Sequence, residues 1–67
     1  MKNYQVIETT DNQFLGLVIK SDTAYMDNTD LQITESVVFH IQKTEKISEK
    51  TYKHSNAHYI AIVEEID

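Results

Sequence analysis

The sequence predicts a single small all-β domain over residues 1–67, folded as a strongly bent five-stranded barrel. Three observations lead there. Residues 31–41 alternate apolar and polar side chains except at Glu35 and Val38, the period-two pattern of a half-buried strand. Residues 13–20 and 58–66 are apolar on both faces, which fits strands covered on both sides. The segments between them are short and rich in Asp, Asn, Ser and Thr, which favour turns, and no segment carries a convincing helical stripe. Several short strands without long connections fit a small barrel.

The first strand runs from Tyr4 to Thr9 and ends in the turn signal Thr9-Thr10-Asp11-Asn12. The second, Gln13 to Lys20, contains the chain's only glycine. Gly16 inside a strand marks a bend, a bulge or a close backbone approach. Ser21 to Asp30 reads as a polar, acidic loop carrying one apolar pair, Tyr25-Met26. In the third strand Leu31, Ile33, Val37, Phe39 and Ile41 share one face, with a bend or break expected near Thr34-Glu35-Ser36. Lys43 to Lys53 has only Ile47 and Tyr52 as apolar residues and reads as a hairpin arm. The last strand runs from His58 through Val63 towards Ile66. Ile60, Ile62 and Ile66 lie on one face, and Tyr59, Ala61 and Val63 on the other.

At 67 residues a second domain is excluded. A chain this short buries only about 60% of its unfolded surface and often needs a staple. It has no cysteine, so disulfides and thiolate metal sites are absent. Self-association is therefore the expected stabiliser, and the surplus of two-faced apolar strands supports it. The net charge is −5, from 11 acidic and 6 basic residues, and every base is a lysine. Without arginine, phosphate and base recognition are disfavoured, and a basic protein is the more natural heterologous partner. No apolar run reads as a signal peptide or a membrane span, and no polybasic cluster favours a membrane surface, so a cytoplasmic protein without membrane contact is expected.

Gly16, Asp22, Tyr25-Met26, Asn28 and Leu31-Gln32-Ile33 stand in an order that resembles the Sm-like family, which includes the bacterial Hfq proteins. That family's pattern is a bent glycine-containing strand, then an aspartate, an aromatic-Met-Asn loop and an aliphatic strand. Tyr59 to Ile66 resembles its closing strand. The resemblance implies an Sm-like barrel assembled into a homomeric ring by pairing of edge strands. It also implies that Tyr25, Met26 and Asn28 form a nucleobase site in an RNA-binding ring, with Tyr25 stacking on a base and lysines meeting phosphates. Glu64-Glu65 stand where the family carries a basic residue and glycine that help hold RNA; carboxylates there repel phosphate.

Other constellations read as structural. His54 and His58 read as two exposed histidines, because four residues of strand would separate them by about 13 Å, too far for a shared metal. His40 is expected on a polar face. Asp22, Asp27 and Asp30 form an acidic loop without the ligand spacing or turn glycine of a calcium site. Lysines 43, 46, 50 and 53 are interleaved with Glu45 and Glu49, the pattern of a solvated charged face. Nothing in the sequence resembles a catalytic motif, and no cofactor or metal is implied. The expected function is that of a homo-oligomeric scaffold or interaction module.

Overall fold

A computed structural model describes residues 1–66. Among them the chain forms seven strands and one short 3-10 turn: β1 (Lys2–Thr9), the 3-10 turn (Asn12–Phe14), β2 (Val18–Ser21), β3 (Thr29–Gln32), β4 (Val38–Ile41), β5 (Lys43–Ser48), β6 (Thr51–Ser55) and β7 (Ile60–Glu65). β2, β1, β7, β6 and β5 make one antiparallel sheet in that order, and β3 and β4 make a second. The all-β class is as expected. The closed five-stranded barrel is not formed: there are seven strands in two sheets, and neither sheet closes.

Two local causes account for the extra strands. The single strand expected over 31–41 is a hairpin. Ile33 donates its N–H to Val37 O at 2.8 Å, while Thr34 Oγ1 accepts the N–H groups of Ser36 and Val37. The chain therefore reverses at 34–36, the position where a bend was expected. Reversal keeps Leu31 opposite Phe39, so both arms still present their odd-numbered residues inward. Lys43–Lys53 forms the expected hairpin, with Glu45 directly opposite Lys53. Only Gln42 separates β4 from β5, and its N–H continues the β6 pairing to Ser55 O at 2.9 Å. One nearly continuous strand thus passes from the small sheet into the large one.

The second strand is shorter than expected because Gln13–Leu17 is spent on a turn. Asp11 caps the 3-10 turn, accepting Gln13 N–H on its side chain. Gly16 follows at φ 83, a left-handed conformation natural to glycine, and donates to Val6 O at 2.9 Å. The bend attributed to Gly16 thus lies just before the strand.

The core contains Tyr4, Val6, Phe14, Ala24, Met26, Phe39, Ile41, Tyr52, Ala61 and Val63. Period two sorts the strands: Tyr4 and Val6 of β1 and Ala61 and Val63 of β7 point inward, while Gln5 and Glu64 face each other on the outside. The chain's six aromatic rings form two triads. Phe14 stacks on Phe39 at 5.1 Å with Tyr59 edge-on to both, and Tyr52 takes Tyr4 and Tyr25 edge-on at 6.1 and 5.7 Å. Each such pair contributes about 0.5–1.5 kcal/mol beyond area burial. The triads join strands distant in sequence and hold both sheets on one core.

Candidate functional site

Tyr25, Met26 and Asn28 lie in the connection between β2 and β3. Successive hydroxyls shape its start: Ser21 Oγ accepts Thr23 N–H, and Thr23 Oγ1 accepts Tyr25 N–H. Three further bonds fasten it to the β5–β6 hairpin. Ala24 O meets His54 Nε2 at 2.8 Å, Met26 N–H donates to Thr44 Oγ1 at 3.0 Å, and Thr44 N–H donates to Asp27 Oδ1 at 2.8 Å. Thr44 both receives from the connection and donates to it.

This anchoring separates the three residues. Met26 is 5% exposed and belongs to the core. Asn28 adopts φ 56, a left-handed turn position that asparagine tolerates better than most residues, so local geometry accounts for its presence. Tyr25 remains 52% exposed, with its ring braced edge-on against Tyr52. Of the trio, Tyr25 and Asn28 are exposed and Met26 is not.

His54, expected to be exposed, is fully buried at 0% exposure. It alternates with Tyr52 along β6 and so shares the inward face, opposite Ala61. A carbonyl only accepts, so its contact with Ala24 O assigns the neutral ring a proton on Nε2. Nδ1 is buried with no hydrogen-bond partner. Burial lowers the His54 pKa, opposed by its bond to Ala24 and by the charge of Asp27. His58 is exposed, and exposed His40 lies 2.5 Å from Asp30. Among the described residues, no group of three His, Cys, Asp or Glu could hold a metal ion, and no helix is long and apolar enough to cross a membrane.

The other distinctive region is the seam between the two sheets, at β2 and β3. β2 ends the large sheet, β3 ends the small one, and among the described residues neither has a ladder partner on its outer side. A cavity of about 250 Å³ opens between them, lined by Leu17, Val18, Ile19, Lys20, Leu31, Gln32 and Ile33. Five partly buried apolar residues pack against the core, and four of them, Leu17, Ile19, Leu31 and Ile33, line this seam. The core is therefore least covered where the strands have free edges. A second, smaller depression of about 180 Å³ lies beside β1 and β7, between Glu8, Thr9, Thr10, Ile60 and Ile62.

Sequence reasoning missed both His54 and the seam. The Tyr52-x-His54 alternation was an available signal for the first. The second depends on where the connection is anchored, which local pattern does not encode. Comparison with protein-family models, curated proteins and solved structures finds no match to this chain.

Proposed function

We propose that this chain is a small homo-oligomeric interaction module, with no chemistry of its own, that associates through apolar side chains left outside its core. The observation that carries this reading is the balance of apolar residues. Met1, Ile7, Leu15, Val18, Tyr25, Val38, Ile47, Tyr59, Ile60 and Ile66 are large and exposed, as many residues as the hydrophobic core contains. Single exposed apolar residues are ordinary, but so many on a small chain point to a covered surface. Ile60 and Ile62 flank the second depression, placing part of this surface on the large sheet. The Sm-like resemblance supplies the form: a ring built by pairing sheet edges, which also protects those edges from aggregation. A basic protein remains the natural heterologous partner of a chain with net charge −5.

Size-exclusion chromatography with light scattering tests the reading. A discrete mass of several chains that falls to one chain in Ile60→Lys is expected. A wild-type monomer at high micromolar concentration overturns self-association.

One observation favours a second reading, an RNA-binding ring: Tyr25 offers an exposed ring on an anchored connection, suited to base stacking. That reading requires salt-sensitive binding of U- or A-rich single strands that Tyr25→Ala weakens. No binding at low salt removes it.

A further inference from the structure

Beyond self-association, we propose that the seam between β2 and β3 is a strand-addition site. In this proposal β2 templates an extended segment of another protein that alternates aliphatic and basic residues.

The backbone supplies the first part of the argument. In an antiparallel pair, alternate residues exchange both hydrogen bonds with the partner, and the intervening residues point theirs away. Val6 N–H bonds Leu17 O at 2.8 Å, and Ile19 lies opposite Tyr4 two residues along the same register. The ladder with β1 therefore uses Leu17 and Ile19. The N–H and C=O groups of Val18 and Lys20 face the seam, where β2 has no neighbouring strand. An exposed row of this kind is a template for another strand. β2 is the better template because it belongs to a five-stranded sheet, whereas β3 is held only in a hairpin.

The side chains supply the second part. Leu17, Ile19, Leu31 and Ile33 are only partly buried against the core. An added strand places every second side chain on the face where they lie, so its aliphatic residues would complete that cover. A four-residue strand such as β2 spans about 13 Å, matching a short segment of four or five residues.

Charge selects the occupant. From residue 17 to residue 35 the chain has one base, Lys20, against Asp22, Asp27, Asp30 and Glu35. Asp27 is held at the far edge by Thr44, so the seam and its flanking turns carry a balance of −2, from Asp22, Asp30 and Glu35 against Lys20. A second copy would bring the same acidic segment against this one, and like charges oppose that pairing. Basic residues on an added strand instead suit the acidic excess of Asp22, Asp30 and Glu35, Lys20 being the one like charge on the outward face of β2.

The test uses an end-capped peptide alternating Val and Lys over seven residues, an analogue alternating Val and Glu, and 15N-labelled full-length protein. The basic peptide should bind, shift the amide resonances of residues 17–20 and 31–33, and slow hydrogen exchange at Val18 or Lys20. The acidic analogue should bind at least tenfold more weakly. Lys20→Ala removes the only base in the seam and keeps the amide, so affinity is unchanged or higher. Lys20→Pro removes the same charge together with the outward N–H, which an edge position tolerates, and should weaken binding at least tenfold relative to Lys20→Ala. Equal affinity in these two folded variants overturns the proposal, because attraction by charge alone does not need that amide. If Lys20→Pro does not fold, N-methylation of alternate peptide residues makes the same distinction, and unchanged affinity for both methylation registers overturns it. Concentration-dependent protection of the seam without peptide also overturns it by assigning the seam to a second copy. A monomeric mass leaves this proposal standing while refuting self-association, so the two readings fail separately.

Discussion

Lowering the pH should destabilise this protein through His54. Its ring is fully buried, with Nε2–H committed to Ala24 O and Nδ1 without a partner. Protonation would add a charge and an N–H with no acceptor at that buried position, so the folded state resists it. The His54 pKa is accordingly lowered, chiefly by burial. An unfolded chain accepts the proton near pH 6.5 while the folded chain still refuses it. The unfolded state therefore binds more protons below that pH, and unfolding free energy rises with pH. The contribution is intact above about pH 7 and is lost as pH falls through 6.5 towards the folded value. Its slope cannot exceed about 1.4 kcal/mol per pH unit, so the limit between pH 6.5 and 5 is about 2 kcal/mol. Urea titrations at half-unit steps from pH 7.5 to 5 measure it. His54→Gln supplies the comparison: glutamine offers an amide donor towards Ala24 O but does not titrate. Every other ionisable group is common to both proteins, so the difference in slope isolates His54. Equal slopes in wild type and variant would refute the buried neutral histidine.

Two further changes test the packing. Phe39→Ala removes the ring stacked on Phe14 and touched by Tyr59, a loss of about 3–5 kcal/mol. A chain of this size has about 3–10 kcal/mol in total, so the urea midpoint should fall steeply and the melting temperature by about 15 °C or more. A drop under about 5 °C would show that the triad is not part of the core. Thr44→Val keeps the shape but leaves the buried Met26 N–H without its acceptor, costing about 1–3 kcal/mol. Amide exchange should accelerate at Met26 more than in β7; uniform acceleration would mean that Thr44 does not specifically fasten the connection.

Most of the strand content was legible because period two survives at single-residue resolution. Phe39 and Ile41 are buried and His40 is exposed, as their parity requires. The same parity concealed the hairpin, because a reversal that pairs Leu31 with Phe39 leaves inward residues on odd numbers in both arms. A bent strand and a tight hairpin have one hydrophobic pattern; what separates them is the Thr34 hydroxyl caught by Ser36 and Val37. The surroundings of Tyr25, Met26 and Asn28 were not legible. Tyr25 is exposed, but Met26 belongs to the core and Asn28 serves the turn, and these assignments depend on contacts with Thr44 and on backbone geometry that residue types alone do not state.

The open seam and the buried histidine have a common origin. β2 and β3 are consecutive, and antiparallel neighbours need only a short turn to pair. Their connection is instead fastened to the far edge of the large sheet, where Ala24 meets His54 and both Met26 and Asp27 bond Thr44. Thr44 and His54 are cross-strand partners on the inward side of β5 and β6. One pair of residues therefore draws the chain across the domain before β3 begins. With Ala24 and Met26 taken into the core there, β3 starts on the small sheet and pairs with β4. The last ladder of a closed barrel is forgone. Leu17, Ile19, Leu31 and Ile33 are left half covered beside two free edges. The polar contacts that bury His54 thus support the same chain path that exposes the seam. A change that releases this connection should alter seam binding and acid sensitivity together, although Thr44 and His54 do not line the seam.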